Sequence, residues 1–256
     1  DEGERHPGTN DLDIGLALAL LDEGRYAEIS ARMRAEGFEP DTNETGNPTV
    51  QRWRLGELKV TVDFLMAPAP DQAAGLRVQN LEPDFGALVT PGLELAFDEQ
   101  ASVELDGHTL KGERARRTIP VCGPAAFVVL KALAFGQRGE PKDAYDLVYV
   151  IRHTAGRGQA IAERLEAHAQ RHAAIVERAL GMLARDFDAP DGLGPRRAAL
   201  VHIALMGIVL RRAAEFAVAQ PAAPGELDNT AADAHGYVDD LLRACGLLGL
   251  SVGATG

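Results

Sequence analysis

Gly8-Thr9-Asn10-Asp11-Leu12-Asp13-Ile14 is the stretch on which the reading of this chain turns. Residues two apart on a strand point to one face, so Asp11 and Asp13 project together, about 6–7 Å apart at Cα. Leu12 and Ile14 turn the other way, toward a core. Two carboxylates that close repel one another unless a cation lies between them. The pair suits Mg²⁺ or Mn²⁺, hard ions that take oxygen ligands and keep positions for water and substrate phosphates. A D-x-D pair alone is a weak sign, and two solvated aspartates at a strand end is the plainer account of it.

A third carboxylate strengthens the sign. Asp63 lies in Val60-Thr61-Val62-Asp63-Phe64-Leu65-Met66, an otherwise apolar strand. A buried aspartate there is costly without a cation, a hydrogen-bond donor or water at the sheet edge. Together with Asp11 and Asp13 on a neighbouring strand, Asp63 completes a set able to hold one or two Mg²⁺ ions. Such a site activates a hydroxyl and neutralises charge developing on a triphosphate. The plainer reading of Asp63 is a hydrogen-bonded structural residue.

A second cluster lies further along. Lys131 and Arg138 are two helical turns apart and share one face of an otherwise apolar helix (Phe127, Val128, Val129, Leu130, Leu133, Phe135). A lysine in such company either snorkels or serves as counter-charge to something buried. Asp143 and Asp146 follow, across the Gly139-Glu140-Pro141 break. Asp143 by itself reads as a helix cap. The set, a cationic pair followed by an acidic pair, suits the gripping of phosphate.

Around these residues the chain reads as a mixed α/β domain, 1–122, followed by an α-helical C-terminal domain, 123–256. Val50 to Leu55 and Leu58 to Met66 flank Gly56-Glu57 as a hairpin. Tyr26, Ile29 and Met33 recur at helical spacing ahead of Gly37. Leu93 to Phe97, Ser102 to Leu105 and Thr109 to Lys111 are expected to be short strands, parted by turns at Pro91-Gly92 and Asp106-Gly107. Pro124 opens a helix to about Gln137. Asp143 to Arg152, Gln159 to Ala184, Arg196 to Ala219 and Ala231 to Leu248 carry further helical patterns.

With 26 Lys and Arg against 38 Asp and Glu, the net charge is -12, which excludes a general nucleic-acid coater and confines any such contact to a local patch. Two cysteines, Cys122 and Cys245, exclude a disulfide scaffold and a Cys-rich zinc module. No apolar run is long enough to span a bilayer and no signal-peptide pattern opens the chain, so a cytoplasmic protein without membrane contact is expected.

The order G-T-N-D-L-D-I, then V-D-F-L at 62–65, then K-A-L-A-F-G-Q-R-G-E-P-K-D-A-Y-D-L at 131–147 resembles the nucleotidyltransferase toxins of the AbiEii/AbiGii type. These belong to the DNA polymerase β-like nucleotidyltransferase superfamily. The resemblance covers roughly residues 8 to 152, and its last motif is the most specific. It implies that Asp11 and Asp13 are metal-binding aspartates and that Asp63 aids the metal or activates the acceptor. It further implies that Lys131, with Arg138 beside it, contacts nucleotide phosphate, with Asp143 and Asp146 as the closing acidic motif. Gly8 and Thr9 fall where the family binds nucleotide.

The activity implied is transfer of an NMP from an NTP to an acceptor hydroxyl, in some members the 3′ end of tRNA, with an antitoxin as neutralising partner. One departure stands out. The family's Gly-Gly or Gly-Ser turn sits on a strand-helix unit before D-x-D, whereas only Asp1 to Pro7 precede Gly8 here. The complete aspartate set favours a numbering that begins partway through the domain. Two rival readings remain open: a degenerate, non-catalytic binding module of the same fold, and a kinase-like toxin that moves a γ-phosphoryl group to a protein.

Other features carry less. Lys111, Arg114, Arg116 and Arg117 could hold an RNA backbone, though a solvated loop is the stronger reading. His168 and His172 stand four apart, as a helical metal pair would, with no third ligand at useful spacing; they are expected on the surface. Cys122 is expected to be a small core residue.

Overall fold

The fold follows from where apolar alternation and helical spacing place a buried face. In the computed structural model, residues 10–17, 23–56, 58–69, 77–109, 111–213 and 225–252 are described, so Gly8 and Thr9 lie outside the described residues. The chain divides into two compact units, Asp1–Phe97 and Asp98–Gly256.

The first unit is built on one mixed sheet. Its strands are β1 (Asp11–Leu16), β2 (Glu39–Thr42), β3 (Pro48–Leu55), β4 (Val60–Met66), β5 (Arg77–Glu82) and β6 (Phe85–Val89), with helix α1 (Glu23–Ala35) between β1 and β2. The order is β2-β3-β4-β6-β5, and β1 joins β4 off this path. β1 runs parallel along the whole of Thr61 to Met66. The opposite edge of β4 is shared: β3 pairs antiparallel with Val60 to Asp63, and β6 pairs parallel with Leu65 and Met66.

Alternation along β4 decides the two faces. Val62, Phe64 and Met66 are buried, and they pack with Leu16, Tyr26, Trp53, Phe85, Ala87 and Val89 into one core. Phe64 and Phe85 meet edge to face at 4.7 Å, a favoured aromatic geometry. Burying each such side chain contributes about 1.5–3 kcal/mol. Thr61 and Asp63 therefore face the other way, and with them their partners, Asp11 and Asp13 of β1 and Arg52 and Arg54 of β3. β3 and β4 pair as the expected hairpin, with Leu55 opposite Val60; Leu58 and Lys59 belong to the connection and not to the strand, and Glu57 lies outside the described residues.

Leu93–Asp98 forms a short helix, α2, and not the strand expected over Leu93 to Phe97. Leu, Glu and Ala are strong helix formers, and Leu93 and Leu95 both reach the interior from one helical turn after Pro91-Gly92.

The second unit opens with β7 (Gln100–His108) and β8 (Arg114–Cys122), a two-stranded antiparallel hairpin, followed by α3 (Pro124–Arg138), α4 (Pro141–His153), α5 (Arg157–Asp186), α6 (Leu193–Ala213) and α7 (Glu226–Leu247). Asp106-Gly107 is not a turn but part of β7; of the strand expected over Thr109 to Lys111, Thr109 and Lys111 lie outside both strands and Leu110 lies outside the described residues. The reversal spans Thr109 to Glu113, where Gly112 takes φ 81° and the Thr109 amide donates to the Glu113 carbonyl at 2.8 Å. The helices pack as α3 with α5, α4 with α6, and α7 with α5 and α6. The expected helix over Arg196 to Ala219 is described only as far as Ala213.

The boundary falls at Phe97/Asp98 and not after 122, because the base of the hairpin is tied to the helices. Gly123, the residue before α3, offers no side-chain cap. Glu99 replaces it: its carboxylate accepts from the Ala126 amide at 2.9 Å, and its carbonyl accepts from the Gly123 amide at 2.7 Å. A Cβ at 123 would overlap the Glu99 carboxyl group, so a larger residue there must displace that side chain from the start of α3.

Candidate functional site

The register of β1 on β4 brings the three expected carboxylates onto one face. Asp13 lies directly opposite Asp63, and Asp11 lies opposite Thr61, whose hydroxyl donates to the Asp11 carboxylate. Neighbouring strands stand about 4.8 Å apart, so Asp13 and Asp63 are as close as paired residues can be. Asp11 and Asp13 are exposed, and Asp63 is half-buried.

The charge that makes this arrangement tolerable is Arg52. β3 places it opposite Asp63 on the same face. Arg52 Nε donates to Asp63 Oδ1 at 2.8 Å and Nη2 donates to Oδ2 at 2.5 Å, a fork across one carboxylate. The Asp63 hydrogen bonds hold the Arg52 pKa above its ordinary value against the lowering effect of burial, and the charges of Asp63, Asp11 and Asp41 add to the same shift. Arg54, one pleat on, meets Glu39 at 3.0 Å and Asp41 at 3.7 Å. Glu39, Asp41 and Asp63 thus meet two guanidinium groups on this face.

Arg52 was not singled out from the sequence. The signal was present in the hairpin: once Leu55 pairs Val60, counting back along both strands sets Arg52 against Asp63. The donor that a half-buried Asp63 needs is therefore a protein side chain. Among the described residues, no group of three or more His, Cys, Asp or Glu side chains is arranged to hold a metal ion. Asp11 and Asp13 still offer hard oxygen donors side by side, and Mg²⁺ needs only one or two carboxylates when substrate phosphates supply the rest. The donor chemistry fits such an ion, with Asp63 engaged by Arg52.

No family model, curated protein or solved structure matches the chain.

The second cluster belongs to the helical unit. Lys131 Nζ donates to Asp143 Oδ1 at 3.0 Å and to Asp146 Oδ2 at 2.9 Å. Arg138 forks onto Asp143, with Nε at 2.7 Å from Oδ2 and Nη2 at 2.9 Å from Oδ1. Lys142 adds a bond to Asp146 at 3.1 Å. Lys131 is thus counter-charge to two buried carboxylates, and its ammonium stacks over the Phe127 ring at 5.6 Å. Burial acts to lower the Lys131 pKa, but the hydrogen bonds and charges of Asp146 and Asp143 outweigh it and hold it above the ordinary value. Burial likewise acts to raise Asp143, and Arg138 and Lys131 together hold it below the usual carboxylate range.

Asp143 is not the helix cap. Pro141 begins α4 and Glu140 precedes it, so Asp143 sits in the first turn with its carboxylate turned to α3. Asp143 and Asp146 act on Lys131 and Arg138, joining the two helices across the Gly139-Glu140 break.

His168 is buried, contrary to the surface position expected of it. Its Nε2 lies 3.1 Å from Glu99 Oε2, and His172 Nε2 lies 2.8 Å from Asp98 Oδ2. Arg164 and Arg171 flank the same two carboxylates. Cys122 is only half-buried, since it ends a strand whose residues are mostly exposed. On the hairpin, Arg114 pairs with Asp106, and Arg116 with Asp106 and Glu104. Arg117 donates to the Arg116 carbonyl. Among the described residues, no helix is long and apolar enough to cross a membrane.

Proposed function

We propose that this protein is a divalent-cation-dependent nucleotidyltransferase of the toxin type, moving an NMP from an NTP to an acceptor hydroxyl, with the 3′ end of tRNA as the acceptor. The observation that carries the reading is the register of Asp13 on Asp63, with Asp11 beside them on one solvent-facing side of the sheet. Carboxylates brought together on one face suit a divalent cation and its triphosphate.

Asp11 and Asp13, with Asp63, would hold Mg²⁺ or Mn²⁺, which when bound offsets the charge of the triphosphate. Asp63 takes the proton of the acceptor hydroxyl. The acceptor oxygen bonds to the α-phosphorus as the bond to the pyrophosphate oxygen breaks, and pyrophosphate leaves. To Lys131 and Arg138 we assign contact with nucleotide phosphate, the role implied by the family resemblance. Asp143 and Asp146 hold those cations in position.

The test is incubation of the full chain with α-labelled and, separately, γ-labelled NTPs and a tRNA pool. Label from the α position is expected on RNA, reduced at least about a hundredfold by Asp13→Asn and by Lys131→Ala. Undiminished transfer by both variants would refute the assignment. Label from the γ position on protein would instead mark the kinase-like reading. The Arg52–Asp63 pair favours one further reading, a non-catalytic module whose carboxylates are neutralised from within; nucleotide binding without transfer of either label would establish it.

A further inference from the structure

At the break between α3 and α4, cations outnumber the carboxylates that hold them. Asp143 accepts from Arg138 and Lys131, and Asp146 accepts from Lys131 and Lys142. Both carboxylates are buried, whereas Arg138 and Lys142 reach solvent. A further guanidinium arrives from α6: Arg197 lies against Gly139, with Nη1 3.2 Å from where a Cβ at that position would stand. Gly139 takes φ 64°, so the residue that ends α3 carries no side chain to hold Arg197 off. Arg197 is half-buried, and among the described residues it is in no ion pair. Counting the exposed Glu140 with Asp143 and Asp146, four cations stand against three carboxylates at the break. A half-buried guanidinium beside other cations and without an acid of its own is costly until an anion balances it.

We propose that Arg197, Arg138 and Lys142 form a site for a phosphate group at the α3–α4 break, filled by free phosphate or by the phosphates of a nucleotide. Arg197 brings a planar fork of N–H donors that matches phosphate oxygens. Lys142 gives one bond to Asp146 and keeps further N–H donors for a ligand. Arg138 is fixed by its fork onto Asp143 and adds its charge. The two buried carboxylates hold these cations in place before any ligand arrives, so less ordering is lost on binding. Arg197 lies outside the stretch, 8 to 152, that carries the family resemblance. This inference extends the assignment of Lys131 and Arg138 to phosphate and rests on that part of the reading, not on a cation or on transfer.

The experiment is calorimetry of the full chain, titrated with inorganic phosphate and separately with a non-hydrolysable nucleoside triphosphate at constant ionic strength. A hydrogen bond between charged groups contributes about tenfold or more to affinity. Arg197→Gln is therefore expected to weaken binding about tenfold, and Arg197→Lys, which keeps the charge and loses the fork, by less. Weakening of both ligands identifies the phosphate group by itself as sufficient, and weakening of the triphosphate alone identifies the nucleotide as its source. Unchanged affinity of folded Arg197→Gln for both ligands would overturn the proposal, as would the absence of binding of either ligand by the wild type.

Thermal denaturation separates this role from a structural one. Arg197 has no ion pair to lose, so Arg197→Gln without ligand should melt no lower than the wild type, while the rise in Tm that the ligand gives should shrink. A lower Tm with unchanged ligand affinity would make Arg197 a structural residue and overturn the proposal. Should Arg197→Gln not fold, Lys142→Gln carries the same test, and a folded variant with unchanged affinity for both ligands would likewise overturn it. Phosphate affinity that depends on Arg197 in a protein that transfers no nucleotide would leave this inference standing and remove only the proposed activity. Nucleotide transfer by a protein whose phosphate affinity ignores Arg197 would do the reverse.

Discussion

Replacing Asp143 with asparagine isolates the charge that ties α3 to α4. The Asp143 side chain is 2% exposed and accepts three hydrogen bonds from two cations, Arg138 at 2.7 and 2.9 Å and Lys131 at 3.0 Å. Asparagine keeps the volume and one oxygen, but turns an amide donor toward one of those cations and removes the negative charge. A hydrogen bond to a charged group contributes about 1.5–3 kcal/mol net. Breaking a buried pair by removing one partner costs about 3–5 kcal/mol. Arg138 is largely exposed and rehydrates, and Lys131 retains Asp146, so the lower end applies: a loss of about 3 kcal/mol.

For a protein of this size that loss corresponds to a fall of about 6–12 °C in Tm. The assay is urea and thermal denaturation followed by circular dichroism at the helical band, to which α3 to α7 contribute most. A loss under about 1 kcal/mol at unchanged slope would refute the reasoning, and would mean that apolar packing alone joins the helices.

The same cluster sets a pH dependence. The folded-state pKa of Asp143 is lowered, so its stabilisation is present above the unfolded value of about 3.9 and is lost as pH falls through the folded value. The folded-state pKa of Lys131 is raised, so its stabilisation is full below about pH 10.4 and is lost as pH rises through the folded value. Urea midpoints of wild type and Asp143→Asn should therefore converge as pH falls through the folded value of Asp143, and a gap that stayed as wide in strong acid as at pH 7 would contradict the linkage. Gly123→Ala should displace Glu99 from the start of α3 and cost at least about 1–2 kcal/mol, the worth of a helix cap. Measured against Glu99→Ala, the two losses should fall well short of additive, and full additivity would argue against their contact.

Much of the fold was legible because its signals are local. Pro124, Pro141 and the αL turn at Gly139 punctuate the helices wherever they occur, and the period-two burial of Val62, Phe64 and Met66 needs only neighbouring residues to be read. Leu93 to Phe97 misled because five residues of alternating and helical apolar pattern look alike. Its neighbours in space, and not its own spacing, chose the helix. The hairpin of β7 and β8 misled for the opposite reason, since Asp106-Gly107 has the chemistry of a turn yet lies within a strand, while Gly112 supplies the positive φ at the real reversal.

The candidate site divides along the same line. That Asp11 and Asp13 share a face is a property of strand geometry, and that Lys131 and Arg138 share one is a property of helix geometry; chain spacing alone determines both. Which charge answers each of these groups is not a local property. Arg52 reaches Asp63 through the pairing of two strands, and Glu99 reaches His168 and the start of α3 across a long interval of chain. Hydrogen bonds and ion pairs act over a few ångströms in space whatever the separation in sequence, so tertiary structure alone decided the partners of those charges.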